Sequence, residues 1–428
     1  MPRSARLQHF WERVHASYWF VPSVMTIASA VLAMAALHVD RVLQEEWALR
    51  NDWLYQGTGE GARWLLSTVA GSMVTVAGVS FSITILVLSL ASSQFGPRLL
   101  RSFLRDTGNE LVLGTFISTF LYCILVLQAV RGSESEPFVP HVAITIAITL
   151  AVVSLGVLIY FIHHVAEMIQ VENVIVAASR EADGTIEELF PRRIGTGGPA
   201  ETVPIDGGWE VPAAETGYVE SLDGGRLMEL GGTHDLMLEL VARPGRFVRV
   251  GDPLLLVHGG VRSRALTHEL QRCLFVGRAR TPLHDIGAAV SQLVEIGVRA
   301  LSSATNDPFT AIVCVDYLSA VLVKLARAPE VSAYRYDSHG KLRIVASPVD
   351  MNDVIAGALD SVRRYARSYP EVILRLLGAI ESVSDAATSD ALRARLRTVA
   401  ESLRTEADSI VGAGDRAEVQ DRADEVLG

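Results

Sequence analysis

Hydrophobic positions fall into two regimes along the chain. Up to residue 162 they gather in four long uncharged runs, 14–39, 64–97, 111–130 and 137–162. Each has the roughly 20 residues a helix needs to cross about 30 Å of hydrocarbon. Beyond them, apolar residues recur at helical or alternating spacing among charges, as in a globular region. The pattern predicts an α-helical polytopic membrane domain over 1–163, with four transmembrane helices near 17–38, 67–93, 110–130 and 140–162, followed by a cytoplasmic α+β region. That region divides into a helical stalk over 164–190, a Gly- and Pro-rich linker over 191–214 and a small β-sandwich or barrel module over 215–262. A mainly helical domain over 263–428 completes it, with a hairpin near 333–346. The first run follows Arg3, Arg6 and Arg13 and has no small-residue cleavage site after a short apolar core, so it reads as a retained anchor.

Charge sharpens the division. Residues 164–428 carry 28 basic and 38 acidic side chains, which is the whole net charge of −10. A surface of that sign argues against nucleic acid as a partner, because phosphate binding needs a basic face. Cys123, Cys273 and Cys314 are widely spaced and form no CxxC pair, which suits buried thiols in a reducing compartment. Basic residues in short loops favour the cytoplasm. Arg3, Arg6 and Arg13 precede the first span, and Arg98, Arg101 and Arg105 lie between the second and third. The opposite loops mix Arg41, Arg50, Arg63 and Arg131 with acids, so both termini are expected in the cytoplasm.

The second run is too long for the bilayer and polar in a regular way. Ser67, Gly71, Thr75, Gly78, Ser82, Ser89 and Ser93 recur at spacings of three, four or seven, which puts them on one helical face. Small residues and hydroxyls of this kind let membrane helices pack closely. Repeated around a symmetric oligomer, the same face would line a hydrated path. The span holds no ionisable residue, which fits a pore better than a proton relay or pump. Gly96-Pro97 should stop the helix, with Gln94 at its exit and Arg98, Arg101 and Arg105 as a basic collar on a short interfacial helix. On the third span, Thr115, Ser118, Thr119 and Tyr122 form a similar face that could pack on the second. At the end of the fourth, His163, His164 and Glu167 stand three or four apart and are weak metal-ligand candidates, with His15 at similar depth.

In the cytoplasmic half, short alternating strands over 217–260 are separated by Gly, Asp and Pro turns, and the paired glycines read as β-turns. Asp307-Pro308 is a helix start, with Asp307 as N-cap, which leaves no catalytic role for it beside His284 and Asp285. A hairpin should turn at Asp337–Gly340. No Walker loop, dinucleotide fingerprint, HExxH or GxSxG motif occurs. No cofactor and no catalytic residue is expected.

Two motifs carry a resemblance. Residues 81–98, FSITILVLSLASSQFGPR, together with residues 300–311, ALSSATNDPFTA, resemble a bacterial family of predicted membrane proteins known as a domain of unknown function. The resemblance implies a multi-pass protein of the bacterial inner membrane and supplies no activity. Separately, the turn PGRFVRVGDPLLL (244–256) resembles the half-repeat of lipoyl- and biotinyl-like barrel-sandwich domains. Carrier members hold their group on a Lys, and residues 201–262 contain none, so covalent cofactor carriage is excluded for this module. Two readings of function stay open: a homo-oligomeric ion channel lined by the second span, and a membrane-anchored scaffold or sensor whose cytoplasmic region binds a protein or small ligand.

Overall fold

A computed structural model describes residues 19–42, 51, 53–95, 107–130, 138–168, 170–200, 208–282 and 284–428, with 93–95 as backbone only. Two compact units, Met1–Gln170 and Val171–Gly428, divide the chain. Five helices among the described residues are long and apolar enough to cross a membrane. Four of them build the first unit: α1 (Phe20–Val42), α2 (Gly59–Phe95), α3 (Thr107–Ala129) and α4 (His141–Met168). The fifth lies in the second unit.

Helix α3 is the hub, packed by α1, α2 and α4. In its apolar window 61% of residues are buried, against 11% for α2. Its sequence explains the position, because Gly114 leaves room for Pro22 and Met25 of α1 to approach its backbone, and hydrogen bonds tie it to its neighbours, while the Thr115 and Ser118 hydroxyls bond back to α3 itself. Ser29 Oγ donates to the Ser118 carbonyl at 2.6 Å, Thr119 and Ser154 hydroxyls meet at 3.2 Å, and Tyr122 OH donates to the Ala143 carbonyl at 3.0 Å. Hydrogen bonds from this side of α3 run to α1 and α4, and Tyr122 of the same face also packs on the second helix, against Leu66 and Ala70. Helix α2 packs through aliphatic groups instead, with Leu66 and Ala70 in one cluster with Tyr122 and Val126, and Val87 in another with Val112 and Phe116.

One carboxylate fixes the start of α4. Asp40 accepts the backbone N–H groups of Val142 and Ala143, each at 2.9 Å, which satisfies two of the donors a helix N-terminus leaves open. His141 Nδ1 lies 2.5 Å from the Tyr55 carbonyl, and the Tyr55 N–H donates to Thr145 Oγ1 at 2.9 Å.

In the second unit, α5 (Val171–Glu187) begins after a break at the end of α4. The 164–190 stretch is therefore two helices, and the apolar side of α5 is buried at Val174, Ile175, Ala178 and Ala182. Next come β1 (Thr196–Gly197), β2 (Trp209–Pro212), β3 (Gly217–Leu222), α6 (Gly224–Thr233), β4 (Met237–Leu240), β5 (Phe247–Val248), β6 (Pro253–His258), α7 (Arg264–Gln271) and β7 (Leu274–Gly277). Helices α8 (Ile286–Ala300) and α9 (Pro308–Arg327) precede the hairpin β8 (Tyr334–Tyr336) and β9 (Leu342–Val345). Four helices end the chain: α10 (Met351–Ala366), α11 (Pro370–Ala386), α12 (Asp390–Glu406) and α13 (Ala413–Leu427).

The β part is wider than 215–262. Its six-stranded sheet runs β1-β8-β9-β4-β6-β2 and its three-stranded sheet β5-β3-β7. The 333–346 hairpin joins through a parallel pairing of β9 with β4, and β7 closes on β3. Both sheets feed one core, in which Val219, Leu238, Leu255, Val257 and Ile344 are fully buried. Each such side chain contributes about 1.5–3 kcal/mol. Residues 224–233 are a helix and not a strand: the Asp223 side chain accepts the Arg226 N–H at 2.9 Å, and Leu227 and Leu230 share the buried face. The glycine pairs at 224–225 and 231–232 accordingly belong to this helix and not to β-turns. Gly245 and Gly251 do turn the chain, at φ +86° and +93°, in the left-handed region that glycine enters without strain.

Helix α9 is the fifth apolar helix, packed by α5, α8 and α11. Its N-cap is Asp307, which accepts the Thr310 N–H at 3.0 Å, with Pro308 in the first turn. Two of its charges pair within the unit, Lys324 with Asp183 at 2.7 Å and Asp316 with Arg375. Gly297 of α8 lets the two helices meet at Cys314, where an added Cβ would lie 3.2 Å from the Cys314 Cβ. All three cysteines are buried and unpaired. Burial pushes the thiols of Cys273 and Cys314 up to about 12, so almost no thiolate exists at neutral pH. A maleimide applied to the folded protein in mild detergent at pH 7 should leave both unmodified and react with both after unfolding in dodecyl sulfate; labelling before unfolding would show that these packed sites open.

Candidate functional site

Helix α2 runs for 37 residues, about 55 Å at about 1.5 Å per residue. One side of it packs inside the unit through Ala62, Leu66, Ala70, Ser80, Val87 and Ala91, all buried. The other side is the Ser/Thr/Gly stripe. Ser67, Gly71, Thr75, Gly78, Ser82 and Ser89 are all exposed. These six lie on one face of the helix, and among the described residues no other helix covers it. A Cβ added at Gly71 or Gly78 would meet nothing within 4 Å, so contacts within the chain do not explain either glycine. A shallow groove of about 490 Å³ follows the stripe, lined by Val74, Thr75, Gly78, Val79, Ser82, Ile83 and Leu86.

The hydroxyls of Ser67, Thr75 and Ser82 bond back to their own helix. Thr75 Oγ1 donates to the Gly71 carbonyl at 3.0 Å, Ser82 Oγ to the Gly78 carbonyl at 2.8 Å, and Ser67 Oγ to the Trp64 carbonyl at 3.0 Å. A hydroxyl has one hydrogen and two lone pairs. With the hydrogen committed to the helix, what it offers outward is an oxygen acceptor. The chemistry of this face is therefore that of uncharged oxygen atoms between small gaps.

The remaining candidates separate from this face. Ser93 and Gln94 lie on the last turn of α2, and their side chains are outside the described residues, as are Gly96-Pro97, Arg98, Arg101, Arg105 and His15. At the end of α4, His163 Nε2 lies 3.2 Å from the Glu167 carboxylate, with both side chains exposed. His164 stacks on Tyr160 with ring centroids 5.2 Å apart, beside Gly108 of α3. Among the described residues, no group of three or more His, Cys, Asp or Glu could hold a metal ion. His163, His164 and Glu167 thus do not converge on one point.

Several polar residues with clear structural work were missed by the periodicity. Asp40 is one, since its carboxylate contributes only to loop charge until α4 is placed beside it. Asn109 and Glu110 are buried at the start of α3, 4% and 5% exposed, just ahead of the uncharged run at 111–130. Asp285 is the strongest case. Only 2% exposed, it caps α8 through the Ala288 N–H and receives Arg280 through Nε at 2.7 Å and Nη2 at 2.9 Å. The pairing with Asp285 raises Arg280 above the ordinary guanidinium value. Gly245 closes over the pair: a Cβ there would fall 2.2 Å from Asp285 Oδ2. A buried arginine, Arg343, holds Asp337 at the hairpin turn and Asp235, each at 2.8 Å. Its hydrogen bond brings the Asp337 carboxyl down to about 2.

Residues 15–382 match the family described as Predicted membrane protein (DUF2254). The chain belongs to this family. The match takes in all four helices of the first unit and the second unit as far as α11, so in this DUF2254 protein the α2 stripe and the Asp285 site both lie inside the family region. The uncharacterized proteins Rv1290c of Mycobacterium tuberculosis and Mb1321c of Mycobacterium bovis are each 33% identical to it over 393 residues, covering 90% of this chain and 75% of their own. No solved structure matches it.

Proposed function

We propose that this DUF2254 protein is a homo-oligomeric channel of the bacterial inner membrane, in which the Ser/Thr/Gly face of α2 lines the path. Helices α1–α4 cross the bilayer with both termini in the cytoplasm, and α9 stays with the second unit, where two of its charges pair. The cytoplasmic region assembles or gates the path. The observation that carries this reading is the exposure of the whole stripe, from Ser67 to Ser89, on the least buried of the apolar helices. A lipid-facing surface has no use for it, since aliphatic side chains serve there, as they do at Val152, Val153, Leu155 and Ile159 of α4.

Copies of the chain packing side by side around an axis bring the stripes together. Gly71 and Gly78 then allow close approach, and the outward lone pairs of Thr75 and Ser82 replace part of an ion's water shell, as rings of uncharged oxygens do in other filters. Acceptor oxygens without fixed charge favour cations over anions. A cysteine placed at Gly78 should cross-link between copies when oxidised in membranes, whereas one at Val152 should not. The purified oligomer in liposomes should pass cations faster than anions. A folded monomer, or an oligomer with no flux and no Gly78→Cys cross-link, would overturn the proposal.

A further inference from the structure

The turn that enters and leaves β5 gathers arginines with no acid between them. Elsewhere in the second unit, exposed arginines are commonly paired with carboxylates, as Arg226, Arg375, Arg395 and Arg404 are. Between residues 243 and 250 stand Arg243, Arg246 and Arg249 with no acid among them. All three are exposed, and none forms an ion pair among the described residues. Arg243 and Arg246 donate only to the carbonyls of Pro348 and Val241, at 3.1 Å and 2.7 Å, which leaves their charge uncompensated. Of the carboxylates in the adjoining turns, Asp252 is occupied by the Arg249 N–H at 2.8 Å and Glu215 is exposed.

Apolar side chains alternate with these cations and point outward. Phe247 is 48% exposed and Val250 is 66% exposed, although both sit on a turn tied down by β5–β3 pairing and by the glycines at 245 and 251. Exposed Arg278 extends the basic side beyond Gly277, which pairs with Tyr218, the strand neighbour of Phe247. The patch thus combines a rigid platform, an apolar tip and four cations in a unit whose net charge is negative.

We propose that this turn is a docking surface for the anionic face of a lipid bilayer, with Phe247 and Val250 entering the headgroup layer and the arginines contacting lipid phosphates. Charge complementarity selects an anionic partner. The apolar tip between the cations selects an interface with a hydrophobic layer just beneath its charge. The same chain carries the membrane helices, so tethering raises the effective concentration of such a surface whatever the arrangement of the two units. The inference does not depend on whether the α2 face conducts.

The test uses the full chain in nanodiscs, with Val250→Cys carrying an environment-sensitive fluorophore; the native cysteines are buried. In discs containing phosphatidylglycerol the emission should shift to the blue and be quenched by lipids bearing a nitroxide. Discs of phosphatidylcholine alone should give neither effect, and raised salt should reverse both. Arg246→Glu with Arg249→Glu should abolish the quenching. If those variants fail to fold, the salt and lipid series on the unaltered turn still decides. Emission that ignores lipid charge, or that shifts in detergent in proportion to protein concentration, would overturn the proposal, the latter by pointing to a second copy of the chain.

Discussion

Replacing Thr75 and Ser82 together by leucine should reduce ion flux about tenfold or more while leaving the protein folded and assembled. Both side chains are exposed on the chain's own surface, so no internal contact is lost. Each hydroxyl bonds only to its own helix, at the Gly71 and Gly78 carbonyls. Leucine has a higher helix propensity than either residue and carries no penalty in hydrocarbon, which keeps the cost to folding below about 1 kcal/mol. In the proposed channel what changes is the path: two acceptor oxygens per subunit would disappear and two bulky apolar groups would enter, the condition under which a narrow pore dewets. Ser82→Ala should have the smaller effect, because it removes the oxygen without adding bulk. Val152→Leu on α4 is the control and should conduct as the parent does. Reconstituted liposomes with an ion-sensitive dye measure the flux, and size-exclusion chromatography in detergent measures assembly. Leucine variants that conduct normally would place the path elsewhere.

The contrast between α2 and α3 marks how far the sequence could be read. Both helices carry small and hydroxyl residues at helical spacing, and both are apolar enough to span a membrane. Composition and length reveal that much because the bilayer imposes them on any crossing helix. Which face is buried is another matter, since a Ser/Thr stripe has the same period whether it meets a neighbour or nothing. The Thr119 hydroxyl meets Ser154 and the Tyr122 hydroxyl meets the Ala143 carbonyl, but the Thr75 and Ser82 hydroxyls bond only their own backbone. Only tertiary placement separates the two cases.

The second unit divides in the same way. Asp307 was legible as a cap because the donor it satisfies is three residues away on the same helix. The 334–345 hairpin was legible because its turn is local, closed by Gly340 at φ +74°. Helix α6 was obscured by its flanking glycine pairs, which resemble turns when the Leu227 and Leu230 spacing is set aside. The extent of the β part was hidden because its sheets draw strands from residue 196 to residue 345, and the parallel β4–β9 pairing joins segments about a hundred residues apart. Asp40 was hidden for the same reason, as it acts on a helix start about a hundred residues away; Asp285 caps the helix beside it and pairs with Arg280 five residues away, and what the sequence hides there is its burial under Gly245.

Asp285→Ala should be the most damaging single change in the second unit. It removes the cap of α8, worth about 1 kcal/mol, and leaves the half-buried Arg280 without its carboxylate. Breaking a buried pair costs about 3–5 kcal/mol. Because Arg280 is 33% exposed and regains some solvent, the lower end applies, for a total of about 3–4 kcal/mol. In a unit of this size 1 kcal/mol is about 2–4 °C, so the transition assigned to residues 171–428 should fall by about 6–16 °C. Asp285→Asn keeps the cap and loses the charge, and should fall by less. Gly245→Ala attacks the same place from the other side, because its Cβ would collide with Oδ2 and φ is +86°. If the pair is the shared cause, Gly245→Ala combined with Asp285→Ala should cost less than the sum of the two single changes. Differential scanning fluorimetry of the full chain in detergent reads all four proteins; additive losses would show that Gly245 and Asp285 act on stability separately.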